Sequence, residues 1–262
     1  MTIAARLTID DPTYFDRLAE IDQDHWWSKG MWQLAAHWLD GLLRGRRGLK
    51  ALDVGCGTGG TLIRLARRAE IAEVLGIDPS PDALAWSKSR HGHRLVRGDA
   101  LALPVAGMSF DLATCFDVMQ HLPEHREADA AAELRRVLRP GALAIIRANG
   151  RGWARVADGD VRPYRLDDLT AAIEAGGLRV RRATYANSLP ALAQELRGRL
   201  RIGPNPAAKA HPEGGGLQIR VPSNWKNGRM SAITATEAIA AGRGGLRLPF
   251  GHSTLILAER VN

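Results

Sequence analysis

The stretch Ala-Leu-Asp-Val-Gly-Cys-Gly-Thr-Gly-Gly at residues 51–60 limits the possible folds of this 262-residue chain more than any other segment. A short apolar strand breaks into a glycine-rich turn, and a helix is predicted directly after it, over 61–69. Glycines permit the positive φ angles of such a turn and let a ligand approach bare backbone. The start of the following helix offers N–H groups that lack partners within the helix. The stretch therefore predicts a ligand site between a buried strand and a helix.

Asp53, at the end of that strand, indicates the charge of the ligand. Gly55, Gly57 and Gly60 fit the G-x-G-x-x-G pattern with which dinucleotide-binding folds hold a pyrophosphate. A carboxylate that points into the turn repels a pyrophosphate, but it attracts an ammonium or a sulfonium group. We therefore expect a ligand that carries positive charge at this point, which argues against a dinucleotide-dependent oxidoreductase.

From residue 50 onward, predicted strands and helices alternate. This alternation is typical of a parallel sheet covered by helices on both faces, so the predicted fold class is α/β. An Arg-Pro-Gly sequence at 139–141 is predicted to separate a helix from the fifth strand. The predicted strands are a first that ends at Val54, then 73–77, 93–96, 109–116, 141–147, 177–185 and 253–260, and the predicted helices between them are 81–90, 127–138 and 166–175.

The N-terminal region is predicted to form two helices. An Asp-Pro pair at 11–12 has the pattern of an N-cap followed by a first helical turn. A second helix is indicated by an apolar stripe over 31–42. We expect residues 24–30 to form a loop between the two helices. In that loop Trp26 and Trp27 either pack the helices onto the core or form a wall over a ligand.

The regular alternation ends after the sixth strand. Leucines at helical spacing predict a helix over 189–200, and a further helix is predicted over 227–241. Glu237 lies on one stripe with Met230 and Ile233, where its carboxylate could meet a cationic acceptor or lie partly solvated at the edge of the stripe. Because a Gly- and Pro-rich run separates the two helices, this insertion could act as a lid or form a simple loop.

The net charge of +8 raises the question of a nucleic-acid partner. Basic clusters occur at 44–47, 135–136 and 197–201, but none interleaves with aromatic residues as a base-stacking surface would. A solvated basic surface is the simpler interpretation, and it argues against a nucleic-acid partner.

The cysteines and the hydropathy pattern indicate the compartment. Cys56 and Cys115 lie in predicted core segments, which is typical of a reducing cytoplasm and not of a disulfide scaffold. No apolar run is long enough to span a bilayer. We expect a cytoplasmic protein that is a monomer or a homodimer.

Four motifs arrive in a fixed order along residues 50–185. They are Asp53 with its Gly-x-Gly-x-Gly turn, Arg-Gly-Asp-Ala-Leu-Ala-Leu-Pro at 97–104, Asp-Val-Met-Gln-His-Leu at 117–122 and Leu-Arg-Arg-Val-Leu-Arg-Pro-Gly at 134–141. With this order and spacing, the chain resembles class I S-adenosylmethionine-dependent methyltransferases of the UbiE-like, small-molecule group. The family usually has Gly-Gly after Pro140, where this chain has Gly141-Ala142, and the position is structural.

The resemblance implies a Rossmann-like sheet of six parallel strands and one antiparallel closing strand, with helices on both faces. It also implies a single methyltransferase domain over 1–262. We expect that domain to consist of an N-terminal helical cap (1–47), a cofactor-binding core (48–187), a helical insertion or lid (188–247) and a closing strand (248–262).

The implied cofactor is S-adenosylmethionine, with S-adenosylhomocysteine as the product. The ends of parallel strands form the ligand site in such a sheet, so Asp78 is expected to accept both ribose hydroxyls and Asp99 the adenine amino group. The remaining roles are carried over by resemblance at matching positions. The full set of predicted cofactor-binding residues is Asp53, Gly55, Cys56, Gly57, Gly59, Asp78, Pro79, Asp99, Ala100, Leu101, Asp117, Val118 and Met119.

Methyl transfer from a sulfonium needs little from the protein beyond alignment, because the leaving group is already activated. A general base is required only if the acceptor starts protonated. Three residues are candidates for the catalytic group: His121 after the fourth strand, His252 before the last strand, and Tyr164 in the loop after the fifth strand. The structural alternatives are a cap, a turn and a packing role, respectively. No metal site is predicted.

The sequence therefore predicts methyl transfer to a small-molecule acceptor, with methylation of oxygen, nitrogen or carbon left open. The first alternative is an RNA or protein methyltransferase that uses the basic surface. Against it, residues 117–120 are not the Asn/Asp-Pro-Pro-aromatic segment of exocyclic-amine methyltransferases, and neither cysteine follows a proline as in cytosine-C5 enzymes. The second alternative is a non-catalytic scaffold or sensor that binds S-adenosylmethionine.

Overall fold

The computed structural model describes residues 13–150, 162–200 and 221–262. Its centre is one sheet with the strand order β3-β2-β1-β4-β5-β7-β6. The strands are β1 Leu49–Val54, β2 Ile71–Asp78, β3 Arg94–Arg97, β4 Phe110–Phe116, β5 Leu138–Asn149, β6 Arg179–Ala186 and β7 Ser253–Glu259.

Helices cover both faces of this sheet. A single-turn 3₁₀ helix, Met119–His121, follows β4. The α-helices are α1 Tyr14–Asp24, α2 Trp26–Leu42, α3 Gly60–Ala66, α4 Pro81–His91, α5 Glu127–Val137, α6 Leu166–Ala175, α7 Ser188–Arg199 and α8 Asn224–Gly242. None of the described helices is both long and apolar enough to cross a membrane.

The strand directions confirm the predicted fold class. Strands β1 to β5 are parallel to one another, and β7 runs antiparallel between β5 and β6. The chain therefore forms six strands of one direction and a closing strand of the other. The strand order reverses between β1 and β4, which is where an open α/β sheet binds its ligands.

Alternation along each strand divides the core into two layers. In β4, Leu112 faces one layer and Ala113 the other, and Leu257 and Ile256 of β7 are divided in the same way. Successive side chains of a strand point to opposite faces, so a strand buried on both sides reads as a continuous apolar run. Helices α5 and α6 pack on one face of the sheet, and α2 and α8 pack on the other.

Helices α2 and α8 approach each other closely because small residues lie between them. A Cβ atom on Gly30 would lie 2.6 Å from the Thr234 Cβ, and one on Gly242 would lie 2.7 Å from the His37 Cβ. The N-terminal helices and the predicted insertion thus share one layer over the sheet.

Glu237 is neither free to meet a cationic acceptor nor partly solvated, the two roles considered for it. Its side chain is buried, and its two carboxylate oxygens accept the backbone N–H groups of Ser188 and Leu189 at 3.0 and 3.2 Å. An anion at this position satisfies N–H groups at the start of α7 and is favoured by the helix dipole. Burial raises the pKa of Glu237, and these hydrogen bonds oppose that rise. The buried face of α8 includes Thr234 and Ala238, whereas Ile233 is 37% exposed.

The predicted loop at 24–30 is wrong. Only His25 separates α1 from α2, and its Nδ1 accepts the backbone N–H of Trp27 at 3.1 Å. This side-chain cap starts α2 five residues before the predicted stripe. The predicted N-cap at 11–12 and most of the Gly- and Pro-rich run, at 201–220, lie outside the described residues.

The fifth strand begins earlier than predicted. It starts at Leu138, which pairs with Phe110, and therefore includes the Arg-Pro-Gly sequence at 139–141. The register shifts between this pair and the next one, Leu112 with Leu143, so Pro140 lies where the ladder is interrupted. Gly141, with φ of 75°, accommodates the irregularity. The predicted helix over 61–69 also ends early, at Ala66.

Candidate functional site

The glycine turn after β1 has the backbone that its sequence predicts. Gly55, Gly57 and Gly59 have φ angles of 72°, 49° and 85°, which L-residues with a Cβ rarely adopt. A Cβ on Gly55 would lie 2.2 Å from Cγ2 of Val118, so that glycine is required for packing. At Gly57, by contrast, an added Cβ would meet nothing within 4 Å. Bare backbone at Gly57 therefore faces open space.

Asp78, at the end of β2, holds this turn in place. Its Oδ2 accepts the backbone N–H of Gly57 at 2.8 Å, and its Oδ1 accepts the N–H of Ser80 at 2.9 Å. Each carboxylate oxygen can accept a second hydrogen bond. The position leaves acceptor capacity for a pair of hydroxyl groups beside the turn, as predicted for a ribose.

Asp53 is buried at the end of β1, beside Thr114 of β4. It is 2% exposed, and its Oδ1 accepts the Thr114 hydroxyl at 2.6 Å. Burial raises the pKa of Asp53 from 3.8 to about 7. The Thr114 hydrogen bond and Arg147 lower that pKa, whereas the carboxylates of Asp22 and Asp78 raise it. Asp53 therefore acts on a ligand in the turn through its field, and a cationic ligand would favour its ionised form.

The residues predicted to contact the adenine follow β3. Asp99 is exposed, and its Oδ1 accepts the backbone N–H of Leu101 at 2.9 Å. Ala100 is buried and Leu101 half-buried, and both pack against the core. Pro79 is exposed, and its carbonyl oxygen accepts the Arg97 side chain at 3.2 Å.

Two buried thiols lie near the glycine turn, one in the turn itself and one in the neighbouring strand β4. Cys56 lies in the turn and Cys115 in β4, and both are free and buried. Burial raises the pKa of each thiol. They are therefore small apolar side chains at neutral pH and poor nucleophiles.

Asp117 lies directly after β4 with a φ of 59°, unusual for a residue other than glycine. Arg147 of β5 pairs with it, donating from Nε to Oδ1 at 3.1 Å and from a terminal nitrogen to Oδ2. The Asp117 N–H also donates to the Arg147 carbonyl at 2.9 Å. Val118 is half-buried and Met119 fully buried. The ion pair of Asp117 with Arg147 thus joins the end of β4 to β5 and holds in place the segment that is predicted to lie beside the reactive methyl.

Helix α1 lies over the glycine turn, which the sequence did not indicate. The Asp22 carboxylate accepts the Thr58 hydroxyl at 3.1 Å, and Arg64 of α3 donates to the Asp22 carbonyl. Burial raises the pKa of Asp22, and the positive charge of Arg147 is the largest opposing effect. Only the tertiary fold brings this N-terminal residue to the site.

The three candidate catalytic residues occupy different environments. His121 is exposed at the end of the 3₁₀ helix. His252 is half-buried, and its carbonyl accepts the N–H of Gly150 at 2.9 Å.

Tyr164 is buried, and its hydroxyl lies 2.7 Å from the Met119 carbonyl and 2.8 Å from Oε1 of Glu127. Burial raises the pKa of Tyr164, and the hydrogen bond that its hydroxyl donates to Glu127 adds to that rise. A phenol held in this way stays protonated at neutral pH and positions the 3₁₀ helix against α5. These contacts favour the structural alternative for Tyr164.

A separate cavity lies at the opposite edge of the sheet, where the strands begin. Its volume is about 290 Å³, and it is lined by Lys50, Glu73 and Arg139 among others. Lys50 pairs with Glu73 at 2.9 Å, and Arg139 pairs with Asp111 at 2.7 Å. Paired charges explain the polar lining of this cavity. The described residues contain no group of three or more His, Cys, Asp or Glu side chains placed to hold a metal ion.

Residues 51–141 match the protein family described as "Methyltransferase domain". The matched segment contains the glycine turn, Asp78, Asp99 and Asp117, and its order of motifs is the one described above. Over this segment the chain is similar to class I S-adenosylmethionine-dependent methyltransferases. A demethylmenaquinone methyltransferase of Staphylococcus aureus is 39% identical to this chain over 105 residues. That match spans 38% of this chain and 43% of the length of the relative.

Solved structures share the methyltransferase fold over most of the chain. A phosphoethanolamine N-methyltransferase of Haemonchus contortus, in complex with S-adenosylmethionine, has a TM-score of 0.54 and 18% identity, covering 88% of this chain and 52% of that one. The cyclase SpnF has a TM-score of 0.56 and 21% identity, covering 95% of this chain and 92% of that one. These likenesses concern the fold, which supports more than one reaction.

Proposed function

We propose that this protein transfers a methyl group from S-adenosylmethionine to a small-molecule acceptor. The observation that carries the proposal is the contact between Asp78 and Gly57, which places a carboxylate with spare acceptor capacity beside open glycine backbone. A nucleoside with two ribose hydroxyls and a positively charged substituent matches both features. The buried carboxylate of Asp53, which is close enough to Asp78 to interact with it electrostatically, adds a negative field when it is ionised.

The residues present fit the cofactor along its length. Gly57 would contact the methionine part, Asp78 the ribose, and Asp99 the adenine. Ala100 and Leu101 supply apolar surface for the ring. The cofactor's sulfonium supplies an activated methyl group, whose C–S bond electrons pass to sulfur as the acceptor lone pair forms the new bond to carbon.

The protein contributes alignment and exclusion of water. The contact of Asp78 with the glycine turn and the pair of Asp117 with Arg147 hold the segments at the carboxyl ends of β1, β4 and β5 in place. Holding the acceptor in line with the methyl and sulfur can supply most of the acceleration. His121 and His252 stay predictions as proton acceptors for an acceptor that starts protonated. We assign Tyr164 a positioning role.

The small-molecule acceptor is supported by the sequence relative, which by its name methylates demethylmenaquinone. The RNA or protein alternative draws on the net charge of +8. Many arginines in the described residues are paired, however, including Arg136 with Glu133 and Arg179 with Glu259. A scaffold that binds the cofactor without transfer is the remaining alternative.

The test uses purified protein, methyl-labelled S-adenosylmethionine and two fractions of host extract. One fraction holds small metabolites, and the other holds RNA and protein. Label in a metabolite is expected, and label in macromolecules would replace this proposal by its first alternative. Asp78→Ala should abolish transfer, whereas Asp168→Ala, an exposed change on α6, should not. Cofactor binding without transfer to either fraction would favour the scaffold.

A further inference from the structure

Arg147 is a cation enclosed at the end of β5. It is 6% exposed, and its guanidinium carbon lies 4.7 Å from the ring centre of Trp27 and 4.8 Å from that of Phe116. Trp27 is itself anchored, because its Nε1 donates to the hydroxyl of Ser253 at 3.1 Å. A charge is costly to bury unless it is paired and its donors are satisfied. The fold therefore keeps this guanidinium in one position at a cost that needs an explanation.

The ion pair with Asp117 offsets only part of the cost of burying this charge. Arg147 donates to Asp117 from Nε and from one terminal nitrogen, which uses two of the five N–H groups of a guanidinium. Within the described ranges, the remaining N–H groups have no hydrogen-bond partner. Stacked aromatic rings attract the cation but accept no conventional hydrogen bond. Arg147 therefore keeps donors available in a planar geometry that suits a carboxylate or a phenolate oxygen.

The strand order places these donors on the acceptor side of the site. The acids predicted to bind the ribose and adenine end β2 and β3, on one side of β1, whereas Arg147 ends β5, two strands away on the other side. Neighbouring strands lie about 4.8 Å apart, so β1 and β5 are separated by roughly 10 Å. Ligands of an open α/β sheet lie beyond the carboxyl ends of the strands, where a span of this width can hold a methyl group and its acceptor. Asp117, beside the predicted position of the methyl, ends the strand between them.

We propose that Arg147 binds an anionic oxygen of the methyl acceptor, and that the enzyme therefore selects acceptors bearing a carboxylate or an ionised hydroxyl. This inference rests on the function proposed above. Asp117 neutralises the guanidinium, so a sulfonium is not repelled while the acceptor is absent. An anionic oxygen that binds between the sulfonium and Arg147 is attracted by the sulfonium charge and accepts the remaining N–H groups of the guanidinium. Its orientation is set by the plane of the guanidinium, which Trp27 and Phe116 hold.

The first experiment separates the metabolite fraction of the host extract by anion exchange at about pH 11, where phenols with a pKa of about 10 are also retained as anions. Both parts are then returned to about pH 8 and tested with methyl-labelled S-adenosylmethionine. Label is expected from the retained, anionic part. Label only from the unretained part would overturn this inference while supporting the proposed function, and label from neither part would contradict both. Retention of the labelled product on the same resin shows whether the anionic oxygen is itself the methylated atom. A methylated phenolate or carboxylate no longer binds the resin, whereas an acceptor methylated elsewhere still does.

The second experiment measures Arg147→Lys with the acceptor recovered from that fraction. Lysine keeps the charge but loses the planar fork, so the acceptor KM should rise by about tenfold or more. The cofactor Kd should stay within roughly threefold of the wild-type value. A large rise in the cofactor Kd instead would assign Arg147 to the cofactor carboxylate and overturn the inference. Arg179→Lys, an exposed change on β6, is the matched control.

A variant that removes the charge without leaving a partner behind guards against misfolding. Asp117→Asn with Arg147→Gln replaces the ion pair by two amides. If Arg147 only supports the fold, this double variant should melt at a different temperature but keep the acceptor KM, which would overturn the inference. A raised KM for the anionic acceptor in a folded double variant supports it.

Discussion

Asp78 accepts the backbone N–H of Gly57 at 2.8 Å, so the carboxylate that ends β2 holds the turn that follows β1. The same side chain also accepts the backbone N–H of Ser80 at the start of α4. One residue thus joins two of the loops that form the predicted cofactor site. Its replacement should affect binding and stability together.

Replacing Asp78 by Asn removes one of these two acceptor oxygens. The amide cannot accept both N–H groups, so the free energy of unfolding should fall by about 1–2 kcal/mol. Cofactor affinity, measured by calorimetry, should fall at least tenfold, by about 1.4 kcal/mol or more. Asp168→Asn is the control for a change of surface charge. An Asp78→Asn protein with wild-type cofactor affinity would remove Asp78 from the site.

Replacing Gly55 by Ala should destabilise the protein through two separable causes. A positive φ disfavours alanine by about 1–2 kcal/mol, and the Cβ would overlap Val118 Cγ2 at 2.2 Å. Adding Val118→Ala should restore part of the lost stability, because it removes the overlap and leaves the backbone strain. Urea unfolding of the two single variants and the double variant measures the coupling. Strictly additive changes in unfolding free energy would show that residue 55 and Val118 do not interact.

Asp53 should make both stability and cofactor binding depend on pH. Its folded-state pKa, about 7, lies above the 3.8 of an unfolded chain, so its contribution to stability is present below about pH 4 and is lost as the pH rises through 7. Asp53→Asn can still accept the Thr114 hydroxyl and should be more stable than wild type near pH 8, by up to about 4 kcal/mol. Melting curves of both proteins across this range, each compared with its own value at low pH, test this. Parallel pH profiles would contradict the assignment.

The same ionisation should appear in cofactor affinity. A bound sulfonium favours the Asp53 carboxylate, so the affinity of wild type should rise between about pH 6 and pH 8. Asp22, Asp78 and Arg147 also act on Asp53, and Asp22 itself has a raised pKa. The comparison is therefore with Asp53→Asn, whose cofactor affinity should be lower and should vary less over this range.

Tyr164→Phe tests the positioning role. Loss of the hydroxyl leaves the Met119 carbonyl without this buried donor, at a cost of about 1–3 kcal/mol in unfolding free energy. Glu127 keeps Arg162 as an ion-pair partner at 3.1 Å. The rate of methyl transfer should fall because the 3₁₀ helix is held less firmly. The pH dependence of that rate should not change. A changed pH profile, with wild-type stability, would instead make Tyr164 the proton acceptor.

Much of the site could be predicted because it follows from local sequence and one rule of topology. Asp53, Asp78 and Asp99 each follow or end a strand, and parallel strands end at the same edge of a sheet. The glycines needed no tertiary information, since only they adopt positive φ without strain. Arg147 carried a weak signal that was not used: it is a lone charge in the apolar run of β5, and a charge buried in a strand must be paired.

Other features depend on contacts between distant parts of the chain. Glu237 reads as a partly solvated residue on α8, but α7 begins beside it and its carboxylate caps that helix. Asp22 has no motif around it, yet α1 brings it to Thr58 over the glycine turn. His25 starts α2 early because its ring reaches the Trp27 N–H. In each case a polar group found a partner that spacing along the chain does not specify.

The amino-acid sequence by itself determined the alternation of strands and helices, the glycine turn and the acids at the strand ends, because these depend on local backbone preference and side-chain period. Only the tertiary structure decided that Arg147 faces Asp117 between Trp27 and Phe116. The physical reason is that burial and pairing are properties of the assembled layers. The turn predicted to bind the cofactor is local, whereas the surface proposed to choose the acceptor is built from α2, β4 and β5 together.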